Sequence, residues 1–453
     1  MCRVPTGRIV SEAILPSSSS TPKAKSRRPW LRRTLGFLLA TVVAIVLGVG
    51  AIIGVAWVSA SPPLFLAAGL IVFGLVLFGG IGLVTRSFRG ERIRATRIGS
   101  FAGIFLVVVA LFAFTTLRPA ASDPQLPAAV KGLQYWDLPT GSRIAHVEIP
   151  ASGTPRSTPV IVLHGGPGVP DMAGDLHYFQ ALAQAGFNVY LYDQVGAGRS
   201  SRLENPKHYT LERNVADLEA IRVMIGAQRI DLVGHSYGGL LAAAYMAQYG
   251  SHVGRAVMVS PADLDPGKFG ASTLGRLGND DLRKLFVNMA KPRSLLAYGL
   301  LQVNPQAAHN FAGDADMDAR FDDVYRASEA AQHCDGVKLG PELHGLGYYA
   351  NQYPQSASAA KHADIRPALR KLSTPTLVLK GSCDYLSWSS AEGYLSALRD
   401  SSLIYIHDAG HAIYADQPAQ SMGAIRAFLS GQALPVAPYA GKSAPGDYEG
   451  PDN

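Results

Sequence analysis

Residues 230–240 read Ile-Asp-Leu-Val-Gly-His-Ser-Tyr-Gly-Gly-Leu. Ile230, Leu232 and Val233 make a short apolar β-type run, residues 234–238 form a G-x-S-x-G pentapeptide, and residues 240–249 continue as an Ala-rich helical stretch. The order is strand, sharp turn, helix. A serine hydroxyl becomes a useful nucleophile when it projects from such a turn, where a base can reach it and backbone N–H groups can receive the oxyanion. The flanking glycines permit the turn because a side chain at either position would collide with neighbouring backbone.

Strand and helix patterns alternate on both sides of this stretch. Residues 133–137 and 144–149, joined at Pro139-Thr140-Gly141, read as an opening β-hairpin. Apolar runs at 160–163, 189–192, 256–259, 376–380 and 403–406 read as buried strands, and 176–186, 211–225 and 422–429 as helices. That alternation predicts an α/β fold, a mostly parallel sheet covered by helices on both faces. Residues 261–371 break it, with helical stretches at 281–289 and 321–332, interruptions by Gly and Pro, and no obvious strand. The expected organisation is a core of 132–260 and 372–430, a helical cap at 261–371, and a flexible Pro-, Gly- and Ala-rich tail at 431–453.

A serine nucleophile requires a histidine base and a carboxylate that holds the imidazole in the right tautomer. In a sheet of this kind the partners follow in the order Ser, acid, His at the carboxyl ends of later strands. The 376–380 strand runs into Gly381-Ser382-Cys383-Asp384, and the 403–406 strand is followed by Asp408-Ala409-Gly410-His411. Alone, Asp384 reads as a loop carboxylate capping a helix and His411 as a surface histidine. Together with Ser236, each at its strand end, they read as a catalytic triad. After the 160–163 strand comes His164-Gly165-Gly166-Pro167-Gly168, whose N–H groups at Gly165 or Gly166, with that of Tyr237, would form an oxyanion hole. The ordinary reading is a plain Gly-Pro turn; a phosphate loop is disfavoured because no G-K-[ST] follows.

The set H-G-G-P-G at 164–168, D-Q-x-G-x-G-x-S at 193–200, G-H-S-Y-G-G at 234–239, G-x-x-D at 381–384 and G-H-x-x-x-x-D-x-P at 410–418 resembles the prolyl aminopeptidase (proline iminopeptidase) branch of the α/β-hydrolases. The resemblance covers about residues 133–429. It implies an eight-stranded sheet with a helical cap and a mechanism without cofactor or metal. It also implies the roles of nucleophile for Ser236, acid for Asp384 and base for His411, with Gly165, Gly166 and Tyr237 as the oxyanion site. Two positions depart from the family. Val195 stands where Arg is frequent, and the four tryptophans (Trp30, Trp57, Trp136, Trp388) all lie outside the cap, where the family has tryptophans beside the acidic residues that hold a substrate amine. Glu329 and Glu342 are cap carboxylates available for that purpose, although each also reads as part of a solvated face. The expected substrate is a small peptide cleaved at its N-terminus; an esterase or lactonase would use the same triad, and a non-catalytic receptor or scaffold is the reading from a different class.

The N-terminal quarter is of another character. The 453-residue chain is 48% hydrophobic with a formal charge of +7, and neither feature is evenly spread. Residues 1–33 are a Ser-, Pro- and base-rich leader expected to be disordered, in which Arg3, Arg8, Lys23, Lys25, Arg27, Arg28, Arg32 and Arg33 face only Glu12. Within a membrane domain at 34–118, residues 35–58, 64–84 and 98–117 are uncharged apolar segments long enough to cross a bilayer. A cleaved signal peptide would be shorter, and two further spans follow the first. The loop between the second and third spans carries Arg86, Arg89, Arg92, Arg94 and Arg97 against Glu91. By the positive-inside rule the leader and this loop are cytoplasmic, and three crossings put the hydrolase on the outer face. Basic charge beside apolar spans points to an anionic membrane surface rather than to nucleic acid. No span has an ionisable residue in its interior, so an anchor is expected rather than a transporter. Residues 119–131 read as a Pro-rich linker, and Cys2, Cys334 and Cys383 show no metal spacing and leave a Cys334–Cys383 disulfide open.

Overall fold

The computed structural model describes residues 1, 29–87, 93–120, 126–265, 273–359, 361–441 and 443–451. Most of the basic leader, Arg89 and Arg92 of the arginine loop, and residues 121–125 of the linker lie outside the described residues.

Three apolar helices come first: α1 (Pro29–Val58), α2 (Pro62–Val84) and α3 (Ile93–Phe112), the last continued by a wider turn at Ala113–Leu117. All three are long and apolar enough to cross a membrane. The first and third begin a few residues before their uncharged segments, taking in Arg32, Arg33, Arg94 and Arg97, arginine being a good helix former, whereas α2 begins at Pro62-Pro63, prolines that suit a first helical turn. The helices α1 and α2 pack closely where side chains are missing. A Cβ on Gly69 would collide with Ile52, and one on Gly80 would sit 2.8 Å from the Cβ of Ala40. Gly50, Gly54, Gly79 and Gly82 face open space, so only some of the glycines serve helix contact.

The sheet has eight strands in the order β1-β2-β4-β3-β5-β6-β7-β8. These are β1 (Gln134–Asp137), β2 (Arg143–Ile149), β3 (Val160–Leu163), β4 (Val189–Tyr192), β5 (Ile230–His235), β6 (Val253–Val259), β7 (Thr376–Gly381) and β8 (Ser401–Ile406). The hairpin β1–β2 joins antiparallel to β4, and every other pairing is parallel. All four residues of β3 are buried, as a parallel strand covered on both faces requires.

Helices α4 (Met172–Gln184), α5 (Leu211–Met224) and α6 (Tyr237–Tyr249) connect the central strands. Between β6 and β7 lie α7 (Asn279–Met289), α8 (Pro292–Val303), α9 (Pro305–Phe311), α10 (Asp314–Ser328), α11 (Tyr348–Gln352) and α12 (Arg366–Leu369), with no strand among the described residues. Then come α13 (Trp388–Ala397), α14 (Ile413–Asp416) and α15 (Pro418–Leu429). Phe179 and Leu182 of α4 and Ala424 and Ile425 of α15 form one core layer with β3, β5 and β7. The other face is covered by α5, α6 and α13, whose core is continuous with buried residues of α8 to α10.

The C-terminal segment differs from the expected flexible tail. Tyr439 N–H donates to Leu403 O at 2.7 Å, Glu449 N–H donates to Ser382 O at 2.8 Å, and the Trp388 ring stacks edge-on against Tyr439 and Tyr448. Two tyrosines in a Pro- and Gly-rich stretch supply the apolar anchors, and main-chain pairing does the rest. The linker is likewise held: Ala120 N–H donates to Asp316 at 2.8 Å, and Pro127 O accepts from Arg199.

Candidate active site

The elbow at 234–238 is as tight as its glycines suggest. Ser236 has φ 54° and ψ −118°, a conformation that costs an L-residue on the order of 1–3 kcal/mol. A Cβ on Gly234 would collide with Gly238 O, and one on Gly238 with Leu163 O. Glycine is therefore required on both sides of the serine. The Ser236 N–H donates to Val259 O at 2.9 Å, which fastens the turn to β6.

Asp384 and His411 are brought together at the ends of β7 and β8. Asp384 Oδ1 is 2.9 Å from His411 Nδ1, and both side chains are buried. Ser236 sits on the wall of a cavity of about 200 Å³ that is also lined by Gly166, Tyr237 and Tyr385. The Tyr385 ring is 4.4 Å from that of His411. Ser236 Oγ makes no hydrogen bond to His411 among the described residues. The His411 loop is held beside the elbow through His235, whose Nε2 lies 2.9 Å from His411 O and whose ring stands 4.8 Å from that of His411.

The second oxygen of Asp384 has a partner that strand-end reasoning does not supply. Lys380 Nζ, itself fully buried, lies 2.8 Å from Asp384 Oδ2 and also donates to Leu386 O at 3.0 Å and Ser390 Oγ at 3.3 Å. Burial alone would raise the Asp384 pKa. The Lys380 ammonium, then His411, more than offset it and hold the carboxyl well below the usual carboxylate range. Burial likewise pulls the Lys380 pKa down, against the opposing pull of Asp384.

The glycine turn after β3 passes next to the serine. A Cβ on Gly165 would stand 3.1 Å from Ser236 Cβ, and Gly166 has φ 113°, followed by a cis bond to Pro167. The N–H groups of Gly166 and Tyr237 donate to no described residue. His164 braces the turn: its Nδ1–H donates to Gly165 O at 2.8 Å and its Nε2 accepts the Gln194 N–H at 2.8 Å. Both bonds suit the neutral ring, and burial pulls the His164 pKa down to about 4. The rest of the D-Q-x-G-x-G-x-S segment is equally local. Asp193 Oδ2 accepts the Arg199 N–H at 2.8 Å, and Ser200 Oγ donates to Asp193 O at 2.6 Å. His235 is pulled down to about 3, first by burial and then by the neighbouring His411.

The other motif residues also acquire places. Asp416 accepts from Gly410 N–H at 2.7 Å, His333 Nδ1 at 2.6 Å and Cys334 N–H at 3.2 Å, tying the His411 loop to the end of the helical insertion. Cys334 and Cys383 form a disulfide that closes a 49-residue separation and joins the same two regions. Glu329 and Glu342 are not on the cavity wall: Glu342 is exposed and pairs with Arg326 at 2.8 Å. The acidic residues that line the cavity are Glu212, at the start of α5, and Asp263 and Asp265 after β6.

Residues 158–418 match the family described as alpha/beta hydrolase fold. A proline iminopeptidase of Heyndrickxia coagulans is 25% identical over 300 residues, which cover 64% of this chain and 96% of that one. The proline iminopeptidase PfmaB of Pestalotiopsis fici is 23% identical over 288 residues, 61% of this chain and 93% of that one. Among solved structures, a proline iminopeptidase of Mycobacterium smegmatis is similar with a TM-score of 0.44 and 20% identity, covering 66% of this chain and 98% of that one.

Proposed function

The chain belongs to the α/β-hydrolase fold family, and on that premise we propose that it is a membrane-anchored serine hydrolase that releases N-terminal residues, of the proline type, from short peptides. The reading is carried by the His411 Nδ1 to Asp384 Oδ1 hydrogen bond at 2.9 Å, beside a serine held at positive φ. In the proposed reaction His411 Nε2 takes the Ser236 proton as Oγ attacks the scissile carbonyl carbon. Asp384 stabilises the imidazolium, and the N–H groups of Tyr237 and the Gly165-Gly166 turn receive the oxyanion, a contribution of roughly 3 kcal/mol per donor. The imidazolium then protonates the departing amine, and water hydrolyses the acyl-enzyme by the same route. Glu212 and Asp263 on the cavity wall supply negative charge that favours a free α-ammonium.

The absence of tryptophan from residues 261–371 favours a second reading, a carboxylesterase or lactonase with the same triad. Placement of the hydrolase on the outer face of the membrane is supported by Arg86, Arg94 and Arg97 at the opposite ends of the spans and by a disulfide, a bond that persists in oxidising compartments. Full protection of the hydrolase from added protease in intact cells would refute it. The activity is tested with the full chain in detergent, comparing prolyl and other aminoacyl p-nitroanilides with short-chain p-nitrophenyl esters, alongside Ser236→Ala. Turnover of prolyl amides by the wild type alone supports the peptidase. Turnover of esters alone selects the second reading, and no turnover by a folded protein removes both.

A further inference from the structure

The helical insertion touches the ends of the apolar helices directly. Asn304, between α8 and α9, donates from Nδ2 to Ala56 O at 2.8 Å, and Asn310 donates to Ala60 O at 2.9 Å. A Cβ on Gly299 would stand 3.5 Å from Ile53, five residues before the end of α1. At the other end of α8, Arg293 Nη1 donates to Thr116 O at 3.1 Å, at the close of the third apolar helix, while its Nε pairs with Asp316. The helix α8 therefore lies across the ends of the first and third apolar helices, level with their last turns.

Trp57 marks that level. It is 71% exposed at the end of α1, and Trp30 is 57% exposed near the start. Their 27-residue separation spans about 40 Å of helix, the distance between the two interfacial layers of a bilayer, where tryptophan concentrates. The outward stripe of α8 carries Leu295, one turn from Gly299, and Tyr298, at 55% and 47% exposure. The last turn of α7, two residues before α8 begins, carries Phe286, Val287 and Met289 at 55%, 59% and 49%. Lys284 and Lys291 flank these residues, their apolar stems ending in ion pairs with Asp281 and Asp323 at 3.0 Å each, a polar border of the kind found at a headgroup layer. Such a patch on a water-exposed surface is a liability, and its α8 part adjoins the ends of the first and third apolar helices.

We infer that the α7–α8 face is seated in the outer interfacial layer of the bilayer, so that the insertion over the active site makes its own contact with lipid. The inference rests on the reading that the three apolar helices cross a membrane. An amphipathic pair of helices lying in the interface plane buries its apolar face at the boundary of headgroups and acyl chains. Because α8 buries Leu296, Ala297, Leu300 and Leu301 in the main hydrolase core, the active-site cavity is then held at a fixed height above the lipid.

The test uses the full chain in phosphatidylcholine vesicles, with Cys2 replaced by Ser and the Cys334–Cys383 disulfide kept. A bimane label is placed at Val287→Cys, Leu295→Cys, Leu106→Cys in the third apolar helix, or Val223→Cys on the exposed side of α5. Nitroxide on the upper part of the acyl chain is the lipid quencher, and iodide the aqueous one. The inference expects the labels at 287 and 295 to lose fluorescence by about twofold with nitroxide lipid, the label at 106 to be quenched as well, and the label at 223 to respond to iodide alone. Quenching at 106 but not at 287 and 295, with iodide reaching both, overturns the inference while leaving the spans intact. Labels at 287 and 295 shielded from both quenchers mean that protein, such as a second copy of this chain, covers the face, and overturn it too. No quenching at 106 removes the membrane reading itself.

Discussion

Lys380 Nζ and Asp384 Oδ2 lie 2.8 Å apart with neither side chain exposed to solvent. The residues are four apart, one at the end of β7 and the other in the loop beyond, so the lysine reaches forward beneath the strand end to the face of the carboxylate that His411 does not occupy. A buried carboxylate with only the imidazole and the Leu386 N–H would carry a large desolvation cost. The ammonium supplies the missing charge and keeps Asp384 ionised, which the proposed chemistry requires.

Lys380→Met therefore leaves a buried, unbalanced charge. It is expected to lower the unfolding free energy by about 3–5 kcal/mol and kcat by on the order of tenfold or more with little change in KM. The pH dependence separates this from general destabilisation. A carboxyl whose folded pKa lies below its unfolded value of about 4 stabilises the fold above that pH and loses the contribution as pH falls. Removing Lys380 raises the folded pKa of Asp384, so the acid-side loss of activity should move to higher pH. An unchanged acid limb in a folded variant would contradict the role assigned to Lys380.

Ser236 stores strain that an inert replacement reveals. Ser236→Ala keeps a Cβ at φ 54°, so its melting temperature should match the wild type while kcat falls on the order of 10⁴-fold or more. Ser236→Gly removes the Cβ and should be equally inactive but more stable by about 1 kcal/mol, a rise of about 2–4 °C by calorimetry. A lower melting temperature for the glycine variant would show that the elbow is relaxed.

The elbow, the strand ends and the eight-stranded sheet are legible in the sequence because their requirements are local. Gly234 and Gly238 are needed within two residues of Ser236, and a parallel strand buried on both faces declares itself as an unbroken apolar run. Lys380 is not legible: a lysine closing an apolar strand reads as the point where the chain meets water, and it is buried only because α13 and the C-terminal segment fold over it. Glu329 and Glu342 look suitable as amine anchors because they belong to the insertion, yet the cavity takes its acidic residues from the start of α5 and from the segment after β6. The C-terminal segment has the composition of a free end, and two tyrosines suffice to fasten it. The contact of Asn304 and Asn310 with main-chain carbonyls at the end of α1 and in the turn after it has no local signature, since the partners are about 250 residues apart.

His164 gives the Gly165-Gly166 turn a pH limit. Its ring accepts at Nε2 and donates at Nδ1, so a second proton would set an N–H against the Gln194 N–H. With a folded pKa pulled by burial to about 4, against an unfolded value of 6.5, the unfolded chain binds the proton first. The stabilisation is complete above pH 6.5 and is lost as pH falls toward 4, with a slope of about 1.4 kcal/mol per pH unit from this group. Urea unfolding between pH 4 and 7 should show that slope reduced by the same amount in a folded His164→Asn variant. Parallel curves for the two proteins would rule out a proton-free His164 as a determinant of acid stability.

The C-terminal segment should control how Lys380 and Asp384 respond to salt. Tyr448 OH donates to Leu386 O, the carbonyl that also receives Lys380 Nζ, and the Lys380 ammonium stands 5.7 Å from the centre of the Tyr448 ring. Glu449 N–H, bonded to Ser382 O at 2.8 Å, holds this segment on the Asp384 loop. Ending the chain after Pro435 removes both tyrosines and is expected to cost about 2–4 kcal/mol of stability from lost apolar burial. It also admits water to the ion pair. A pair sealed from solvent is screened little by salt, whereas an opened one is screened within a few ångströms at 1 M. The wild-type kcat should thus be nearly flat between 0.1 and 1 M sodium chloride, and that of the shortened chain should fall severalfold over the same range. Tyr448→Ala should show a weaker form of the same salt dependence with less loss of stability. Flat profiles in both variants would mean that α13 alone seals the pair, and that the last residues serve stability without touching the chemistry.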